Sequence, residues 1–251
     1  MARQVVAVLV YFLVVFANGK AVRENSLNYY LDTVLANAQI IILENGFDPT
    51  TLPNATTGFN DTILGVTWHG EAALYDGWLH GISTLYRSGD ADFVLSDNII
   101  SGISGTFGLG AMEGHYNCLA KFQNLGPIAD VTLSNEGGSI IFTAALNHQT
   151  CRFEMSSFDL THITNFHVEI HGLGPLNWIL DIVMGLVINT VKTFLKWVIE
   201  EPIRNIVNQV MALVDLGPLG PIVGCETQSQ GPAVPWKGIP GVPHKTNANS
   251  N

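Results

Sequence analysis

The chain has 251 residues, with 11 Lys and Arg against 21 Asp and Glu and a net charge of −10. So few cations exclude a nucleic-acid footprint, which needs clustered positive charge to release counterions, and speak against docking on an anionic membrane. Only 13% of residues are charged, 47% are hydrophobic and mean hydropathy is +0.27, so a generous core, a cavity or a partner must cover much apolar surface.

The chain opens with Arg3, an uncharged apolar run from Val5 to Phe16, and Ala17-Asn18-Gly19. This is the pattern of a secretory signal peptide, with cleavage expected after Gly19. The run is shorter than the roughly 20 residues of a membrane span. Residues 25–45 then place Leu27, Tyr30, Leu31, Val34, Leu35, Ala38, Ile41 and Ile42 at three- and four-residue steps, which predicts a helix ending at Gly46. Residues 48–62 read as a polar connection. They hold the sequons Asn54-Ala55-Thr56 and Asn60-Asp61-Thr62, so Asn54 and Asn60 are candidate glycosylation sites.

From about 63 to 171, turn signals such as Asp76-Gly77, Ser88-Gly89-Asp90 and Asn135-Glu136-Gly137-Gly138 separate stretches of period-two alternation. These predict an antiparallel meander with long strands, notably 99–122, whose internal glycines permit bending. The next apolar stripe, from Trp178 through Ile199, predicts the longest helix, with Pro175 in its first turn and Pro202 breaking or kinking it before the stripe resumes at Ile203. Continuous, it would reach about 60 Å. Asp181, Asn189, Lys192 and Lys196 interrupt the stripe at helical spacing, which favours a soluble core helix over a membrane span. Residues 216–251 hold six of the eleven prolines and show no periodicity. The expected organisation is a signal peptide (1–19), a single domain (20–215) and a Pro/Gly-rich flexible tail (216–251).

In an oxidising compartment, Cys118 and Cys151 are expected to pair, leaving Cys225 over. Sequence does not fix connectivity, and three free thiols are the other arrangement it allows. The odd cysteine leaves the oligomeric state open.

The chemistry of an enzyme is not legible. Gly102-Ile103-Ser104 is followed by Gly105 and Thr106, one residue out of register for a nucleophile elbow. Gly105 to Gly110 lies within a strand rather than before a helix, so it is no nucleotide fingerprint. His167, Glu169 and His171 would share one face of a strand, but alternation with Val168 and Ile170 reads as an ordinary solvent face. No catalytic residue, metal site or cofactor is assigned.

Several local patterns resemble one family. Phe47-Asp48-Pro49 with Pro53 follows the first helix. Gly81-Ile82 comes next, with Leu85, Arg87 and Gly89-Asp90-Ala91. Met155 to Leu160 leads through Phe166 into Gly172-Leu173-Gly174-Pro175 and the long helix. Over residues 25–215 the chain resembles the group 7 mite allergens, members of the tubular lipid-binding superfamily that includes the bactericidal permeability-increasing protein. It departs from them in its cysteines and its Pro/Gly-rich tail. The insect juvenile hormone carriers share the broad fold, but their N-terminal cysteine pair is absent here.

The resemblance implies an α+β fold in which a highly curved antiparallel sheet wraps the long C-terminal helix, half of a super-roll, with the first helix alongside. It also implies an apolar tunnel between sheet and helix. The expected function is a secreted, non-enzymatic carrier of an apolar small molecule or lipid, with no nucleic-acid partner and no stable membrane insertion. The alternative is an extracellular recognition protein that binds microbial lipid or a protein through its surface. Candidate lining residues on the helix are Trp178, Ile182, Leu186 and Phe194. Those on strands are Trp68, Leu74, Phe107, Leu109, Phe142 and Leu146. An acyl chain of about 15 methylenes would release roughly 12 kcal/mol gross on burial. After several kcal/mol of association cost, affinity would be around micromolar without any specific polar contact.

Overall fold

A computed structural model describes residues 25–63, 66–122 and 126–225. The signal-peptide segment and residues 226–251 lie outside the described residues. Helix α1 (25–44) buries Leu27, Leu31, Val34, Ala38, Ile41 and Ile42 along one stripe. It ends where Gly46, at φ 69°, lets Phe47 N–H reach Ile42 O (3.0 Å) and Gly46 N–H reach Leu43 O (3.1 Å). That pair of bonds satisfies carbonyls the helix cannot pair for itself, at a backbone angle that favours glycine.

Among the described residues, eleven strands follow in two antiparallel sheets. The first contains β1 (Thr50–Leu52), β2 (Ala55–Ile63), β3 (Val66–His80), β7 (Glu113–Phe122), β8 (Ile128–Ser134) and β11 (His167–His171). Its order is β3-β7-β8-β11, with β1 and β2 both paired to the other edge of β3. The second contains β4 (Tyr86–Arg87), β5 (Asp92–Ser96), β6 (Ile99–Leu109), β9 (Gly137–Asn147) and β10 (Arg152–Thr164), ordered β10-β9-β6 with β4 and β5 on the outer edge of β6.

The chain crosses between sheets at residues 81–85, 110–112, 135–136 and 165–166, and these crossings bond to one another. Gly110 N–H donates to Thr84 Oγ1 (2.9 Å), Asn135 N–H to Met112 O (3.1 Å), and Glu136 N–H to Thr164 O (3.0 Å). They form one seam. The expected single strand over 99–122 is therefore two strands in different sheets, parted at Gly110-Ala111-Met112. The expected single curved sheet is likewise two. Residues 48–62 are not a connection either, because their backbone pairs with β3 along its free edge.

The C-terminal helix is divided as its proline requires. Helix α2 (Leu180–Phe194) packs on β2, β3 and β11 of the first sheet. A π-helical turn (Leu195–Glu200) follows, and α3 (Glu201–Leu213) packs on β10 of the second sheet, with the two helices bent by 41°. Pro202 lacks the N–H that would bond to the carbonyl of Val198, and its ring crowds that carbonyl, so the wider turn falls just ahead of it. Among the described residues no single helix is long and apolar enough to cross a membrane. Asn208 on α3 accepts from Met155 N–H (2.7 Å), where a bulge in β10 interrupts the ladder.

Helix α1 is held by the residues that carry the family resemblance. The buried Asp48 carboxylate accepts from Gly81 N–H (2.9 Å), Ser83 N–H (2.7 Å) and the Ser83 hydroxyl, and pairs with His80 Nδ1 at 2.6 Å. Burial pushes its pKa up, but the bonds from Ser83, Gly81 and His80 together hold it below the ordinary aspartate value. On the other side, Arg87 donates from Nε and Nη2 to both oxygens of Asp32 (2.9 and 3.0 Å). Asn28 bonds Asp90 and accepts from Ala91 N–H (3.1 Å). Tyr30 donates its hydroxyl to Met211 O (3.1 Å) and tilts against Phe153, 5.6 Å away, so α1 also touches α3 and the second sheet.

The disulfide joins Cys151 to Cys225, with their Cα atoms 5.7 Å apart, and Cys118 is free and buried. This corrects the expected Cys118–Cys151 pair. Cys118 faces inward from β7 of the first sheet, whereas Cys151 lies in the β9–β10 turn of the second. Burial pushes the Cys118 thiol up to about 11. Residues 216–225, assigned to the tail on sequence, instead form two 3₁₀ turns that bury Leu216, Leu219, Val223 and Cys225.

Two measurements check these contacts. Closing a loop across 74 residues is worth on the order of 4 kcal/mol in the chain-entropy view, so Cys225→Ser should lower the melting temperature by several degrees and remove its sensitivity to reductant. Cys118 should resist a thiol reagent until the protein is unfolded. Because the folded pKa of Asp48 is depressed, its contribution is complete above the unfolded value of about 3.9 and is lost as pH falls through the folded value. Asp48→Asn should thus melt earlier at pH 6 and show a shallower loss of stability below pH 4 than the native chain.

Candidate ligand-binding pocket

Where the seam runs beneath the helix bend, neither sheet closes the interior. The gap is a half-open pocket of about 320 Å³, counting space open to solvent. Leu79 from the end of β3 and Leu133 from β8 form its first-sheet wall, and Ile163 of β10 lies on the second-sheet side. Met112, Asn135 and Phe166 enter from three of the crossings, with Ser134 beside them. Val191 and Phe194 of α2 and Ile199 of the π turn form the roof. Among the described lining residues none is titratable, and apart from Ser134 and Asn135 all are apolar.

The geometry follows from strand alternation. Leu79 and Leu133 are buried on the inner face of the first sheet, one at the last inward position of its strand and the other just before Ser134. On α2, Val183, Val187, Val191 and Phe194 form the buried stripe, while Ile182 and Leu186 beside it remain half-buried. The roof is thus an apolar helix only partly covered by the sheets.

The ten residues expected from sequence are distributed unevenly. Phe194 lines the pocket. Ile182 and Leu186 lie on the half-covered flank of α2, and Trp178, 43% exposed, meets the edge of Phe59 at 5.9 Å. Leu74 is buried on β3 opposite Cys118. Phe107 and Phe142 stack at 4.1 Å, with Phe158 tilted against Phe107, and pack the inner face of the second sheet. Leu109 and Leu146 are buried in the same core. The side chain of Trp68 lies outside the described residues.

Sequence reasoning did not single out Leu79, Met112, Leu133, Ile163 and Asn135. Their common signal is position beside a crossing, which becomes visible once 99–122 is divided in two. His167, Glu169 and His171 do share an exposed face of β11, with His171 Nε2 3.5 Å from Glu169 Oε2 and Val168 and Ile170 turned toward the core. Among the described residues, no group of three His, Cys, Asp or Glu side chains is arranged to hold a metal ion.

Residues 26–211 match the family model described as group 7 allergen. The chain belongs to the group 7 allergen family. Among curated proteins, none matches this group 7 chain significantly. Among solved structures it is similar to a lipopolysaccharide binding protein, at 17% identity and a TM-score of 0.49. That match covers 78% of this chain and 39% of the other, so the group 7 chain spans well under half of that protein's length. It is also similar to Takeout 1 of Epiphyas postvittana, at 14% identity and a TM-score of 0.37, over 78% of this chain and 93% of that one.

Proposed function

We propose that this group 7 family member is a secreted, non-enzymatic carrier that shelters an apolar ligand between its two sheets and the bent C-terminal helix. The observation that carries the reading is the half-open pocket, walled by both sheets and roofed by α2, with no charged side chain among its described lining residues. Little of the pocket volume of about 320 Å³ is enclosed, since that figure includes space open to solvent. A longer chain would continue along Ile182 and Leu186, whose partial exposure leaves apolar surface to cover. Each methylene moved from water into such a site gains about 0.8 kcal/mol, which is sufficient without a polar anchor.

Secretion is supported by the signal-like segment of residues 1–19 together with the Cys151–Cys225 disulfide. Asn54 and Asn60 both have exposed side chains, Asn60 on the outer edge strand β2, as N-glycan attachment requires. The family resemblance and the absence of a titratable group from the pocket lining support a binding role over a catalytic one.

The test uses the full chain expressed in insect cells. Native mass spectrometry should find co-purified lipid, and after delipidation the apolar dye N-phenyl-1-naphthylamine should bind with micromolar affinity. Val191→Trp fills the roof of the pocket and should weaken dye binding about tenfold, with the far-ultraviolet circular dichroism retained. A protein that carries no lipid and does not bind the dye would overturn the carrier reading and favour recognition through the outer surface.

A further inference from the structure

Two polar residues, Ser134 and Asn135, line the described pocket, and one of them, Asn135, is held in place but not satisfied. Asn135 lines it and is only 8% exposed. Its backbone N–H donates to Met112 O (3.1 Å) and its Oδ1 accepts from Met112 N–H (2.8 Å). Only the carbonyl end of an amide can accept that second bond, so the orientation of the side chain is fixed by its partner. The Nδ2 group is left with two N–H donors and no acceptor among the described residues. A buried donor without an acceptor is costly, and native interiors keep few of them.

We propose that Asn135 is the polar anchor of the ligand site, and that its Nδ2 donates to a neutral acceptor oxygen at the head of an apolar chain. This inference rests on the carrier reading and narrows its ligand class to ketones, esters, aldehydes or alcohols with a long aliphatic portion. Neutrality follows from the described surroundings. None of the described lining residues carries positive charge, so a carboxylate seated among them would lose its hydration without gaining a counterion. The chain as a whole is strongly acidic, which also disfavours an anion. A bare hydrocarbon would leave Nδ2 unpaired and therefore bind without the extra contribution.

The experiment compares 2-undecanone, undecane and decylamine as competitors of N-phenyl-1-naphthylamine on the full chain. Asn135→Asp keeps an oxygen for Met112 N–H but replaces the donor with an acceptor. Affinity for 2-undecanone should fall about five- to tenfold, the worth of one hydrogen bond, while undecane is unchanged and decylamine binds more tightly. Equal losses for ketone and undecane would overturn the anchoring role and leave the carrier reading standing. If none of the three displaces dye from the native chain, or the dye does not bind, the carrier reading itself fails. A second measurement avoids any folding defect of the variant. In the native protein, the Asn135 side-chain amide resonances should shift on adding 2-undecanone and stay in place with undecane; equal shifts would refute the assigned hydrogen bond.

Discussion

Strands that leave one sheet for the other must carry their backbone polar groups through a place where no ladder can satisfy them, and the rest of this structure is arranged around that requirement. At three of the four crossings a particular group supplies the missing partner. Asp48 accepts from Gly81 and Ser83, Thr84 Oγ1 from Gly110, Asn135 from Met112, and the carbonyl of Thr164 from Glu136. With the seam held this way, the two sheets remain apart along one line. The bent helix then lies across the seam and closes the core, because α2 rests on one sheet and α3 on the other.

The same requirement gives the family's sequence patterns a physical meaning. Phe47-Asp48-Pro49 and Gly81-Ile82 lie far apart in sequence, yet the Asp48 carboxylate joins them through backbone N–H bonds. Gly81 is at φ 103°, and an added Cβ would meet the Ala111 carbonyl, so close passage of two crossings also excludes a side chain there. Arg87 and Gly89-Asp90-Ala91 form the matching socket for Asn28 and Asp32 of α1. These residues join α1 to the crossings, and none of them lines the described pocket.

Much of the architecture was legible because it depends on period. The α1 stripe, the alternating strands and the apolar C-terminal helix with its break near Pro202 all follow from spacing. The division into two sheets was not legible, since a strand that ends at a crossing and one that bends smoothly through glycines have the same alternation. That ambiguity over 99–122 hid the pocket, whose walls come from residues beside the crossings. Cysteine connectivity was not legible either, because spacing does not say which sheet a cysteine joins, and Cys118 lies in the first sheet while Cys151 lies in a turn of the second. Large aromatic residues attracted attention as ligand contacts, but Phe107 and Phe142 stack on each other within the second sheet. The informative residue was a buried amide, and sequence alone cannot show that a polar side chain lies inward.

The covalent bridge from Cys151 to Cys225 encloses β10, β11 and both parts of the C-terminal helix in a ring whose closing point lies at the β9–β10 turn. A protease that cuts once anywhere inside this ring severs the main chain but releases no fragment. The helices that roof the pocket stay covalently joined to the strands, with their local concentration undiminished. A nicked molecule thus keeps its parts joined until the bridge is reduced.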